Sequence, residues 1–292
     1  VIVASYNSRT TVERCLESLE RQTMRDLEVI LVDSSSDDTA SFVAAQFPEV
    51  RLSRHDVRRY PGDARNVGVA LARGPILAFL DADCIAADDW AASILDAHRA
   101  SEAPLIGGAV EHAVPGELIG WARYFCEFSQ WMPSRPAAPA IEIPMCCLSV
   151  KRWAFERFGP FLEGCYCSDT AFNWRAGAAG HPPLFLPWIC VRHIHPPGLR
   201  VFLLKQRMHG RNFARVRVSE KRLAPAWAAA LALGSPLLPC LLAGRIARRV
   251  LPSSQYRGVF LRALPLIFWG LAEWSLGECA GYLEAVYGGG RS

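Results

Sequence analysis

The stretch AFLDADC, Ala78–Cys84, ends an apolar run on two aspartates separated by a single alanine. The run PILAFL is short, rich in strand-forming residues and introduced by Gly74-Pro75, so it predicts a buried β-strand. Side chains alternate faces along a strand, which puts Asp81 and Asp83 on one side. Two carboxylates that close repel unless a cation, a helix N-terminus or hydroxyl groups lie between them. The alternative is a turn carrying two solvated aspartates. The surrounding sequence decides between the two.

Upstream, strand-like and helix-like segments alternate. VIVASY predicts a strand, followed by a helix with Thr10 and Glu13 at capping-box spacing and Val12, Leu16 and Leu19 on one face. LEVILVD is a second strand, SSSDD a polar turn, TASFVAAQF a helix and VRLSR a short third strand. GDARNVGVALARG then predicts a helix closed by Gly74. Such alternation implies right-handed crossovers and a parallel sheet, which binds ligands at the carboxyl ends of its strands. Ser5, Tyr6, Asn7, Asp33, Asp81 and Asp83 all fall at those ends, and Arg65 and Asn66 begin the intervening helix. Capping explains any one of them; a binding site explains the set.

The nature of the ligand follows partly by exclusion. No G-x-G-x-x-G follows the first strand and no G-x-x-x-x-G-K-[ST] occurs, which argues against dehydrogenases and P-loop enzymes. Without a glycine cradle a diphosphate needs a metal, and hard cations such as Mg²⁺ or Mn²⁺ bind through one or two carboxylates plus substrate phosphates. Asp81-x-Asp83 supplies these, so the pair is expected to hold a metal-bound diphosphate. With 292 residues and 51% of them hydrophobic, the chain can bury a full α/β domain with material to spare. A formal net charge of +4 is too mild for a nucleic-acid binder. The ten cysteines sit mostly in apolar contexts without paired metal spacing and are expected to be reduced core thiols. The chain opens on VIVASYN without a methionine, which suggests that a few residues precede it, and no signal peptide is read.

VIVASYN, VILVDSSSDDT, PGDARNVGVALARG and ILAFLDADC, in this order and spacing, resemble family-2 glycosyltransferases of the GT-A fold. The resemblance is strong over about the first hundred residues and weaker to about Arg211. It implies an α/β fold: a Rossmann-like, mixed nucleotide-diphospho-sugar transferase sheet flanked by helices, here with C-terminal apolar helices added. It also implies that Ala4, Ser5, Tyr6 and Asp33 line the nucleobase and ribose pocket. Arg65 is implied near the diphosphate, Asp81 near ribose and metal, and Asp83 on the metal. The turn SSSDDT departs from the glycine-containing turn of many members, leaving the roles of Ser34 and Ser35 open.

Farther along, IGWARYFCEFSQWM predicts an aromatic-rich helix and PSRPAAPAIEIP a proline-rich loop before MCCLSV. In CYCSDTAFNWRAGAAGH, Ser168 is expected to cap a helix beginning at Asp169. Relatives carry an acidic pair, an arginine and a glycine here; this chain has Ser168-Asp169, Arg175 and Gly177. The resemblance implies Asp169 as the general base, with Glu163 in reserve. His193 and His195 follow a strand-like PLFLPWI, and His193 matches the family position near metal or phosphate. KQRMHGRN departs from the Q-x-x-R-W of processive synthases, so processive polymerisation is not expected.

The C-terminal third is apolar. Pro225–Gly244 carries no charge over a span length, while Val259–Gly288 carries Arg262, Glu273, Glu278 and Glu284. Arginines flank the first stretch on both sides, which opposes a single crossing and favours a re-entrant hairpin or an in-plane pair. The expected organisation is therefore a nucleotide-sugar half (1–110), an acceptor half (111–222) and a membrane-associated tail (223–292), with a chain ending near Arg222 expected to be soluble. The expected function is inverting, metal-dependent transfer from a nucleotide sugar, UDP-linked, to a lipid-linked or glycan acceptor. The expected place is the cytoplasmic face of a bacterial inner membrane. A nucleotidyltransferase making nucleotide sugars, or an inactive nucleotide-sugar-binding membrane scaffold, are the alternatives.

Overall fold

The computed structural model of the protein describes residues 1–114 and 116–288. Strands β1 (Ile2–Ser5), β2 (Ile30–Asp33), β3 (Arg51–Arg54) and β4 (Ile76–Asp81) alternate with helices α1 (Val12–Glu20), α2 (Thr39–Gln46) and α3 (Pro61–Leu71). The strands pair in the order β3-β2-β1-β4, all parallel. Every residue of β2 is buried, as expected for a strand covered on both faces. Helix α1 buries Val12, Cys15, Leu16 and Leu19 at helical spacing. Two expected boundaries shift. The N-cap of α1 is Thr11, without a side-chain cap, so the Thr10–Glu13 box does not form. Helix α3 stops at Ala72, which is already extended, two residues before Gly74.

After Asp81 the chain turns and adds β5 (Cys84–Ala86), α4 (Trp90–Ala100), β6 (Leu105–His112), α5 (Leu118–Phe128) and β7 (Ala138–Pro139). Then come β8 (Leu148–Lys151), α6 (Arg152–Phe158), α7 (Ser168–Ala178) and β9 (Leu184–His193). The sheet continues from β4 through β8, β6 and β9 to β5, with β7 on β9. Strand β8 runs antiparallel to both β4 and β6, which makes the sheet mixed, as the resemblance implied. Serine 168 is the first residue of α7 rather than its cap; the cap position is Cys167, in the left-handed region with φ 63°. All ten cysteines are free; four are fully buried and Cys240 is exposed.

By packing the chain forms two compact units, Val1–Ala113 with Trp131–Ile194, and Val114–Gln130 with the segment from His195 onward. The sheet lies in the first. The second holds α5, α8 (Leu199–Glu220), α9 (Pro225–Gly234), α10 (Leu238–Val250) and α11 (Ser254–Gly288). This division differs from the boundaries expected at 110 and 222, because α5 and α8 pack with the apolar helices.

The reason lies in the facing surfaces of α8 and α11. At 35 residues α11 is about 50 Å long. It buries Tyr256, Phe260, Ala263, Ile267 and Leu271 along one stripe. A side chain at Gly210 of α8 would collide with the Trp274 carbonyl, and one at Gly277 with the Arg207 carbonyl, so glycine permits the close crossing. The three glutamates of α11 all meet arginines of α8: Arg207 Nε to Glu273 at 2.6 Å, Arg211 Nη2 to Glu284 at 2.7 Å, and Arg217 to Glu278 at 3.8 Å. Glu278 also accepts from the Tyr282 hydroxyl at 2.8 Å and from the Trp274 indole at 2.9 Å. Removing the tail at Arg222 would strip α8 of these carboxylates and expose its packing face. This packing argues against a soluble chain ending there.

Two stretches of this unit are long and apolar enough to cross a bilayer, Pro225–Val250 with mean hydropathy 1.7 and Ser254–Tyr287 with 1.3. Their outward faces expose Trp227, Leu233, Leu237, Phe268 and Trp269.

Candidate active site

The carboxyl ends of β1 and β4 and the start of α3 enclose a cleft lined by Ala4, Ser5, Tyr6, Arg65, Asp81 and Asp83. Six of the residues singled out in the sequence therefore meet there. Asp81 is the last residue of β4, and Ala82 and Asp83 form a turn, so simple strand alternation ends at Asp81. The turn still brings both carboxylates to the same cleft. Neither is left to repel the other alone. Arg65 Nη2 donates to Asp81 Oδ1 at 2.5 Å, from a side chain only 7% exposed. Asp83 Oδ1 lies 3.5 Å from His193 Nε2.

The histidine arrives by long-range pairing. Strand β5 runs antiparallel to β9 with Cys84 opposite His193, and the Ile194 amide donates to the Asp83 carbonyl at 2.7 Å. Strand β9 ends at His193, so His195 does not share its face. His195 instead packs in the second unit against Tyr124 and Phe128, 4.0 Å from Glu127. Ligand atoms of Asp83, Cys84 and His193 lie within 4.8 Å of one another, close enough for one cation to span. Burial and hydrogen bonding with Cys146 push the Cys84 thiol well above its ordinary pKa. For Mg²⁺ or Mn²⁺, which prefer oxygen and imidazole ligands to thiols, the donors on offer are the Asp83 carboxylate and the His193 imidazole, with Asp81 in ion pairing beside them.

Asp33 sits differently from the expectation. It is fully buried and absent from the cleft lining. Its Oδ1 accepts from the Ser5 hydroxyl at 2.7 Å and the Ser35 hydroxyl at 2.6 Å, and Oδ2 from the Ser35 amide at 3.1 Å. It orders Ser5, which does line the cleft. Ser34 and Ser35, whose roles the sequence left open, are both engaged in hydrogen bonds within the protein. Ser35 Oγ accepts from the Asn7 amide at 2.7 Å, and the Asn7 carboxamide accepts from the Ser36 amide at 2.9 Å. Asn7 itself is left-handed, φ 52°, which turns the chain just after Tyr6. Ser34 Oγ accepts from the Arg59 amide at 3.0 Å, pinning the loop before α3.

That loop carries residues the sequence reading missed. Its Arg58 and Arg59 also line the cleft, as does Tyr166 from the segment before α7. The signal was the arginine pair in RHDVRRYPGD, directly before the recognised PGDARN segment. Arg58 lies over the Tyr6 ring, 4.5 Å from its centre, and its Nη2 donates to the Tyr166 hydroxyl at 2.9 Å.

Asp169 is not among the lining residues. It occupies the first turn of α7, half-buried, with its carbonyl accepting from the Asn173 carboxamide at 2.8 Å. The start of α7 nevertheless abuts the start of α3: a side chain at Gly62 would meet the Ser168 hydroxyl and the Leu162 carbonyl. Glu163 is exposed and accepts from the Asn66 carboxamide at 3.2 Å.

Residues 1–151 match the profile of glycosyl transferase family 2. The chain belongs to this family. The family-2 match spans β1 to β8 and all of the cleft lining except Tyr166, and it stops before Asp169 and His193. Among curated relatives, the chain is 31% identical over 196 residues to glycosyltransferase AglE of Haloferax volcanii, covering 63% of each. It is 46% identical over 84 residues to the succinoglycan biosynthesis protein ExoO of Rhizobium meliloti, covering 28% of this chain and 24% of that one. The chain thus spans less than two thirds of the length of these relatives. Its GT-A fold is shared with two solved structures. Mannosyltransferase PcManGT from Pyrobaculum calidifontis, in complex with GDP-Man and Mn²⁺, gives a TM-score of 0.56 at 21% identity, over 100% of this chain and 75% of that one. S. aureus TarS 1–349, in complex with UDP-GlcNAc, gives 0.57 at 16% identity, over 98% and 91%.

Proposed function

We propose that this family-2 chain is an inverting, divalent-metal-dependent glycosyltransferase that moves a sugar from a nucleotide-sugar donor to an acceptor held at a membrane. The observation that carries the reading is the Asp83–His193 pair at 3.5 Å, beside a cleft that Ser5, Tyr6, Arg65 and Asp81 also line. Asp83 and His193 would hold Mg²⁺ or Mn²⁺, with Asp81 next to it. Such an ion, when bound, stabilises the negative charge of a departing nucleoside diphosphate.

The chain's own residues do the rest. Ala4, Ser5 and Tyr6 form the nucleoside wall, with Asp33 ordering Ser5 from behind. Arg65 orients Asp81 toward the ribose. In the transfer the acceptor oxygen bonds to the anomeric carbon while the bond from that carbon to the diphosphate oxygen breaks. The leaving diphosphate takes the electron pair, and Asp169 takes the hydroxyl proton. Displacement from the opposite face inverts the anomeric centre.

The membrane part rests on the second unit. The exposed apolar faces of α9, α10 and α11 adjoin Arg245, Arg248, Arg257 and Arg262, a pattern suited to an anionic leaflet. This favours an in-plane attachment at the cytoplasmic face of a bacterial inner membrane. The decisive experiment is a panel of nucleotide sugars screened for Mn²⁺-dependent thermal stabilisation, followed by assay of donor hydrolysis. A UDP-sugar that stabilises and is hydrolysed supports the reading. Stabilisation without hydrolysis points to an inactive scaffold, and formation of a nucleotide sugar from a sugar phosphate and a nucleoside triphosphate to a nucleotidyltransferase.

A further inference from the structure

The cleft contains three guanidinium groups, and one of them is already committed. Arg65 is buried against Asp81 at 2.5 Å, so its Nη2 serves that carboxylate, while its Nε, like that of Arg59, is buried without an acceptor. Arg58 and Arg59 line the same cleft, and among the described residues no carboxylate lies within ion-pair distance of either. The side chain of Arg59 is half-buried, and its Nε is shielded from solvent without a hydrogen-bond acceptor. A shielded N–H with no acceptor is costly, so the guanidinium gains by turning toward an anionic oxygen in the cleft that Arg59 lines. Surface arginines are ordinarily solvated and need no ligand. Here the backbone of Arg59 is pinned by Ser34, and Arg58 is parked across Tyr6 on the Tyr166 hydroxyl. A neutral phenol is a weaker acceptor than a phosphate oxygen, which takes a charge-assisted and often forked bond from arginine.

We propose that Arg58 and Arg59 are the anion clamp for the diphosphate of the nucleotide donor, and that Arg65 positions Asp81 instead of contacting the phosphates. The proposal rests on the nucleotide-sugar reading above and adds the residues that recognise its charge. When a nucleoside diphosphate enters, Arg58 exchanges Tyr166 for phosphate oxygen and Arg59 closes from the pinned loop.

The test is calorimetric titration of the full chain, at fixed Mn²⁺, with UDP, GDP, CDP and dTDP and with the matching nucleosides. Arg58→Ala and Arg59→Gln should each weaken the best-bound diphosphate by about ten- to a hundredfold. Both should weaken the nucleoside much less than the diphosphate, Arg59→Gln by no more than about twofold and Arg58→Ala by somewhat more because it also uncovers Tyr6. Arg58→Lys should lose less than Arg58→Ala, and Tyr166→Phe should not weaken the diphosphate. Arg58 is exposed, so its alanine variant tests the idea even where Arg59→Gln fails to fold. An unchanged ratio of diphosphate to nucleoside affinity in Arg58→Ala overturns the clamp while leaving the nucleotide-sugar reading intact. Failure of the unmodified chain to bind any of the four diphosphates overturns both.

Discussion

Arg65 on α3 and Asp81 at the end of β4 form an ion pair, Nη2 to Oδ1 at 2.5 Å, that ties the helix to the strand whose end forms the cleft. The arginine is nearly buried and the aspartate is 30% exposed. Removing the cation alone leaves a partly desolvated carboxylate beside Asp83. Arg65→Met is therefore expected to cost about 1–3 kcal/mol of stability, below a fully buried pair because water still reaches Asp81. The double variant Arg65→Met/Asp81→Asn should recover part of that loss. Urea denaturation of the three proteins measures it; equal stability of single and double variants would sink the pairing argument.

Asp83 and His193 should behave as one site. Asp83→Ala is expected to abolish transfer and the metal-dependent part of donor binding, with little change in melting temperature, since Asp83 lies on a turn. His193→Ala should raise the Mn²⁺ concentration needed for half-maximal activity. Full activity of Asp83→Ala at unchanged Mn²⁺ would exclude the site.

Asp169→Asn keeps shape and removes the proton acceptor. It should leave donor affinity intact and lower turnover by roughly 10²–10⁴-fold. A collapse of donor affinity would assign Asp169 to the donor side and bring Glu163, already held by Asn66, forward as the base.

Acid should destabilise the first unit through His98. Its ring is buried, hydrogen-bonded to the Ser149 hydroxyl at 2.9 Å, and burial, with Lys151 adding, lowers its pKa to about 4. The unfolded chain, with a histidine pKa near 6.5, binds the proton first as pH falls. His98 thus has no effect above about pH 6.5, and stability declines between there and about pH 4 by at most about 3 kcal/mol. Replacing it, His98→Gln, should flatten that part of a stability–pH curve measured by denaturation.

The crossing of α8 and α11 makes a further prediction. Gly277→Leu places a side chain against the Arg207 carbonyl and should aggregate or melt early, whereas Leu276→Ala, on the exposed face, should not. A chain ended after Arg222 should likewise fail to accumulate in soluble form. Soluble, monomeric protein from that truncation, seen by size-exclusion chromatography, would overturn the packing argument.

The sequence by itself determined the alternation of β1 to β4 with α1 to α3, the strand ending on Asp81, and the gathering of Ser5, Tyr6 and Arg65 at one sheet edge. Those features come from local periodicity, and a parallel sheet places all its strand ends on one side. The four quoted motifs also sufficed to point to the family. Tertiary structure decided the rest. His193 reaches Asp83 because β5 pairs with β9, strands about a hundred residues apart in the chain. Asp33 falls behind Ser5 and Ser35, since a carboxylate between two hydroxyl groups is satisfied without reaching the cleft. Arg58 meets Tyr166 across 108 residues, and the glutamates of α11 meet the arginines of α8 across 61 to 73. Spacing along the chain fixes which face a side chain takes on its own element, but which faces meet depends on packing among distant segments, and no local pattern carries that.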